Sequence, residues 1–186
     1  MALWSGAPWP AQARQANHPS SRLVVARSEA ALLDQIRCDR PPQAARAMLE
    51  LLRDRLIRHT NYGEDGIEIF VPTRPLRLLN FEIVRFAGWQ GRDDGGALPP
   101  FHRLPGTAPP EHIAVTVRAS ADEVHQELAR RRIKEGRYVA VSSDPSGMSR
   151  RLAPGPQVSA GDYEYGVHAK LRGVTTIECS ATKYDF

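Results

Sequence analysis

Apolar positions along the chain change period several times, and the changes mark its elements. From Pro42 to His59, the residues Ala45, Met48, Leu49, Leu52 and Leu56 recur at helical spacing. This predicts one amphipathic helix with that stripe against a core. On its polar face Glu50/Arg53 and Asp54/Arg58 stand at helix-neighbour spacings, as on a solvated surface. Upstream, Leu23 to Ala26 reads as a short strand, and Ser28-Glu29 as the start of a short helix with an acid where the dipole favours it. Asp39-Arg40-Pro41-Pro42 ends that helix, and Pro42 suits the first turn of the next, where a missing N–H costs nothing.

Strand-like runs begin after the turn cluster Asn61 to Gly66, at Ile67–Val71 and Phe81–Phe86, which should pair near each other. Residues 88–110 are rich in glycine and proline without an apolar period, which predicts a long excursion. Trp89, Phe101 and His102 offer a pocket lining there, although pinning a loop to the core is the commoner task of an aromatic ring. Ile113–Val117 is a strand, and Ser120 with Glu123 matches a capping box that starts a helix burying Ala121, Val124 and Leu128. Gly136 supplies its expected left-handed stop, after a basic last turn of Arg130, Arg131, Arg132 and Lys134. Arg137–Ser142 is the next strand and a loop reaches Gly161. Tyr163–Ala169 and Val174–Cys179 then form a hairpin through Leu171-Arg172-Gly173. The sum is an α+β fold: a largely antiparallel twisted sheet with N-terminal helices and one capped helix between core strands.

Composition narrows this little. A chain of 186 residues, 41% hydrophobic, suits a single domain over 22–186 behind a flexible leader at 1–21 rich in Ala, Pro, Ser and Gln. Such a leader fits export by a specialised route without a cleaved signal, and equally a cytoplasmic protein. A net charge of +4 suits an acidic ligand, nucleic acid or an anionic surface without selecting among them. Cys38 and Cys179 lack metal-ligand spacing, and a single bridge between them is left open. No run has the length of a membrane span, and the familiar nucleotide, hydrolase and metalloprotease motifs are missing.

The sharpest chemistry lies in Arg118, at one strand end, and Ser142 and Ser143, at the next. An arginine fork pairs with a diphosphate, and serine hydroxyls hold a ribose or carboxamide. Together they could grip a phosphorylated ligand. The segments IAVTVRAS, RYVAVSSDPSGMSRR and DYEYGVHAKLRGVTTIE occur in an order that resembles the ADP-ribosyltransferase toxin group, in its cholera- and pertussis-like branch, over about residues 113–178. The resemblance implies a secreted toxin or effector that takes NAD as substrate, uses no metal, and transfers ADP-ribose to an unknown protein acceptor or hydrolyses NAD. It implies Arg118, Ser142 and Ser143 as NAD-binding residues, with Glu178 and Ser142 catalytic. Thr176 stands two residues before Glu178, so the paired-acid signature of arginine acceptors is absent and the acceptor stays open.

Two other classes fit the same chain. His168, Lys170, Arg172 and Thr175 on the terminal hairpin pair a histidine base with cationic phosphate clamps, as in a metal-free ribonuclease toxin, and only this reading calls for nucleic acid as partner. A non-catalytic effector or adaptor would bind a protein through the proline-rich loops. His112 before a strand and His125 on the capped helix read as structural.

Overall fold

The computed structural model describes residues 19–62, 66–92, 96–102, 111–140, 149–153, 155–160 and 171–181. The elements in chain order are α1 (Pro19–Ile36), α2 (Ala44–Arg53), β1 (Ile57–Tyr62), β2 (Glu68–Pro72), β3 (Arg77–Leu78), β4 (Phe81–Trp89), β5 (Glu111–Val117), α3 (Ala121–Arg130), β6 (Arg137–Ala140), β7 (Ser149–Ala153), β8 (Gln157–Ala160) and β9 (Thr175–Ala181). Seven strands make one antiparallel sheet in the order β1-β2-β4-β5-β9-β8, with β3 paired to β4 off this path, while β6 and β7 pair separately. The fold is α+β, as the alternation of periods predicts.

β5 lies inside the sheet between β4 and β9, and from His112 to Val117 every residue is buried. One face, carrying Ile113, Val115 and Val117 with Ile177 and Cys179 of β9, belongs to an apolar core that includes Leu32 and Ile36 of α1 and Met48 and Leu51 of α2. α1 touches β5 and β9, and α2 touches β4 and β5, so the helices seal this face. A buried disulfide from Cys38 to Cys179, with Cα atoms 5.4 Å apart, ties the end of α1 to the middle of β9.

The helices depart from expectation for local reasons. α1 runs unbroken through Leu23–Ala26, where the β-branched pair Val24-Val25 suggests a strand. Val25, Glu29, Leu32 and Ile36 stand at helical spacing, and burial of Leu32 and Ile36 overrides the local preference. α2 ends at Arg53 rather than His59, and its inward stripe is Ala44, Ala45, Met48 and Leu51, which leaves Leu49 45% exposed. Its ion pairs are Arg46–Glu50 and Arg53–Asp54, since Arg58 already belongs to β1.

All three helices are followed by left-handed residues that are not glycine: Cys38, Arg55 and Arg132, with φ of 59°, 55° and 58°. After α2, Leu56 N–H bonds Leu51 carbonyl and Arg55 N–H bonds Leu52 carbonyl. After α3, Ile133 and Arg132 repeat the pattern onto Leu128 and Ala129. These are Schellman caps, each sealed by a buried apolar pair, Leu51/Leu56 and Leu128/Ile133. Arg132, not Gly136, therefore stops α3. Its start is the capping box expected, with Ser120 Oγ accepting from Glu123 N–H at 3.3 Å and Ser120 N–H donating to Glu123 Oε2 at 2.8 Å.

β7 and β8 occupy sequence that reads as loop, and the proposed strand Tyr163–Ala169 lies outside the described residues. β4 extends to Trp89, which is buried, as is Phe101. The phenyl ring lies so close over Gly88 that a Cβ there would stand 3.2 Å from it. The aromatics thus pin the excursion to the core. Among the described residues no helix is long and apolar enough to cross a membrane.

Two measurements follow from this framework. The disulfide closes a sequence separation of 141 residues, so replacing both cysteines with alanine is expected to lower the unfolding free energy by about 2–5 kcal/mol in denaturant titrations. On α3, Glu127 accepts hydrogen bonds from Arg130 and then Arg131, which hold its carboxyl at about 2, below the ordinary 4.5. A depressed acid stabilises the fold fully above its ordinary value and ceases to as pH falls through the folded one. Stability should therefore drop between pH 4.5 and about 2, and Glu127→Gln should remove part of that slope.

Candidate functional site on the polar face of the sheet

Alternation along β5 sends Ile113, Val115 and Val117 to the helices and His112, Ala114 and Thr116 to the opposite face. Residues paired across antiparallel strands share a face, so the register extends these into rows. Thr116 is opposite Arg85 of β4 and Thr176 of β9, and Thr176 is opposite Ser159 of β8. Ala114 is opposite Ala87 and Glu178, and Glu178 is opposite Gln157. His112 is opposite Trp89 and Ser180. This face therefore gathers an arginine, a histidine, a carboxylate, an amide and four hydroxyls around two small residues.

The groups engage one another. His112 Nδ1 lies 3.1 Å from Glu178 Oε1, one row along on the neighbouring strand, with the side chains 5% and 12% exposed. Thr116 and Thr176 share a hydroxyl–hydroxyl hydrogen bond of 3.0 Å. Arg85, His112, Thr116 and Thr176 are all buried, while Gln157 and Ser180 are half-buried and Ser159 is exposed. The face thus opens along β8, with Glu178 between its buried and open halves. Ala87 and Ala114, in the middle of this face, are themselves buried.

Of the residues singled out in the sequence, Glu178 belongs to this face. Arg118 comes one residue after the Val117↔Thr175 pair, about 14 Å along the strand direction from the Glu178 row at ~3.4 Å per residue. Its Nε lies 3.2 Å from Glu82 Oε2, both side chains being exposed, and its N–H donates to Glu82 carbonyl. Arg118 and Glu178 therefore share a strand pair but keep different partners. Ser142, Ser143, His168 and Lys170 lie outside the described residues. Arg172 is exposed, and the Thr175 hydroxyl faces the helix side, donating to Ala119 carbonyl at 2.8 Å. His125 pairs with Glu135 on the surface.

Sequence reasoning passed over Arg85, Thr116 and Thr176 and took His112 as structural. The signal available was the strict alternation HIAVTV, which places two polar groups on one face of a strand otherwise apolar enough for the core. Among the described residues no group of three or more His, Cys, Asp or Glu is arranged to hold a metal ion. The groove between α1 and α2 is lined by charges already paired, Asp34 with Arg40 and Arg46 with Glu50.

If Glu178 serves as the acceptor that holds His112, then Glu178→Leu should cost about 1–3 kcal/mol in denaturant unfolding, because a buried imidazole loses that partner. Glu178→Gln keeps an acceptor oxygen and should cost less than about 1 kcal/mol. No protein-family model, no characterised protein and no solved structure matches the chain.

Proposed function

We propose that the protein cleaves the nicotinamide–ribose bond of NAD, in the manner of ADP-ribosyltransferase toxins, passing ADP-ribose to a protein acceptor or to water. The observation that carries this reading is the carboxylate of Glu178, held by His112 at the boundary between the buried and open parts of a hydroxyl-rich sheet face. Loss of nicotinamide builds positive charge on the ribose, and a fixed carboxylate stabilises that charge more than it stabilises the ground state. Ser159, exposed in the next row opposite the buried Thr176, is suited to ribose or carboxamide contacts, and Ser142 and Ser143 keep the part that the family resemblance assigns them. Arg85, opposite Thr116, lies on the same face as Glu178 and is assigned the diphosphate clamp on that position, whereas Arg118 lies beyond the end of β5, four residues from the Glu178 row. His112 acts as a positioning residue, through Glu178.

The test is NAD consumption, followed by release of nicotinamide. Wild-type protein should turn over NAD, and Glu178→Gln should lower the rate by about 10²–10³, the loss typical of a group that stabilises transition-state charge. Arg85→Ala should raise KM, and Arg118→Ala should change neither constant by more than about twofold. Failure of the wild-type chain to bind or consume NAD would falsify the reading.

A further inference from the structure

A second chemically competent cluster lies on the helix-side face of the sheet, toward its β1 edge. β1 pairs with β2, and a register irregularity between His59 and Asn61 puts His59 opposite Phe70 and Tyr62 opposite Glu68. Without it, His59 and Tyr62, three residues apart, would point to opposite faces. With it, their ring centroids lie 4.7 Å apart, the planes tilted by 54°. The excursion after β4 returns over Gly88, where Phe101 packs edge-on against Phe70 and delivers the next residue, His102.

Glu68 joins the two imidazoles. Its side chain is only 2% exposed, and Oε1 accepts from His102 N–H and from His102 Nδ1, both at 2.7 Å. Oε2 lies 3.4 Å from His59 Nε2, a buried nitrogen that makes no hydrogen bond. The outer parts remain open, since the His102 side chain is 67% exposed, that of His59 34%, and Tyr62 44%. The Tyr62 ring lies between them, 6.1 Å from that of His102.

We propose that His59 and His102 form a general acid–base pair, oriented by Glu68, that cleaves single-stranded RNA. A buried carboxylate accepting the Nδ1–H of His102 turns Nε2 of that ring outward as the base, and His59, beside the same carboxylate, presents its other nitrogen for the role of acid. The neighbouring Thr60 hydroxyl is engaged, donating to Ile69 carbonyl, and a base–acid pair of this kind suits a substrate that carries its own nucleophile, as RNA does in its 2′-hydroxyl. His102 Nε2 takes the 2′-hydroxyl proton as the O2′–P bond forms, and the P–O5′ bond breaks as His59 gives its proton to the leaving O5′. The products are a 2′,3′-cyclic phosphate and a 5′-hydroxyl, and exchange with water restores both imidazoles. Tyr62 offers a base a stacking platform, and the chain's net charge of +4 favours a polyanion. This site uses residues other than the sequence-based hairpin and is independent of Glu178.

The experiment incubates the full chain, in chelator, with a 5′-labelled single-stranded RNA and with DNA of the same sequence. RNA should be cut to ends bearing 2′,3′-cyclic phosphate and DNA left intact, with a rate that peaks between an acid and a basic limb in pH. His59→Ala and His102→Ala should each lower the rate by about 10²–10⁴. Tyr62→Ala should raise KM and leave kcat within about threefold. Glu68→Gln should shift the pH profile as well as the rate. Glu178→Gln should cut RNA as well as wild type does, which separates this site from NAD cleavage. Intact RNA with folded wild-type protein, equal cleavage of DNA, or a folded His102→Ala variant of undiminished rate would overturn the proposal.

Discussion

The register of β5 against β9 is the constraint on which the molecule depends. β5 is buried on both sides, so each of its residues has to suit the face it meets, and a slip of one position would exchange Ile113, Val115 and Val117 for His112, Ala114 and Thr116 under the helices. The disulfide closes off that alternative. With Cys179 bonded to Cys38 at the end of α1, the helix side of β9 is fixed, and its neighbour Glu178 must point to the polar side. A covalent link on one face thereby determines which carboxylate stands on the other.

The polar face carries a desolvation cost that an all-apolar core would not. Burying a hydroxyl or imidazole is tolerable only where each finds a partner, and here Thr116 meets Thr176 and His112 meets Glu178. Among the described residues the other face holds two comparable groups, Glu68, bracketed by His102 and His59, and Thr175, whose hydroxyl donates to Ala119 carbonyl. Apart from Thr175, the buried polar groups described in this sheet are concentrated in two sets, one central and one near the β1 edge, while Leu32, Ile36, Met48, Ile113, Val115 and Ile177 do the ordinary work of the core.

How much of this was legible in the sequence varied with the range of the interactions involved. The capping box of α3, the strand periods of β2, β4 and β5, and the pinning by Trp89 and Phe101 are local or composition-level signals, and they read correctly. The helix ends did not, because Cys38, Arg55 and Arg132 adopt the left-handed conformation that glycine usually marks. Buried Leu51/Leu56 and Leu128/Ile133 contacts hold the last two of those turns. α1 was hidden by the local β preference of Val24 and Val25, which tertiary burial overrides. The grouping of Arg85 with Thr116 and Thr176, and of Glu68 with His59 and His102, requires cross-strand register and a bulge, neither of which single-strand periodicity can specify. Glu178 was reached from sequence as the acid placed where a resemblance wanted one, and His102 only as a candidate pocket lining.

The most direct measurement is amide chemical-shift mapping on the isotopically labelled full chain as NAD is added. Use of the polar face predicts shifts concentrated at Arg85, His112, Thr116, Ser159, Thr176 and Glu178, which fall on four neighbouring strands but on one side of the sheet. An unchanged spectrum at saturating NAD, or shifts confined to His59, Tyr62, Glu68 and His102, would contradict it.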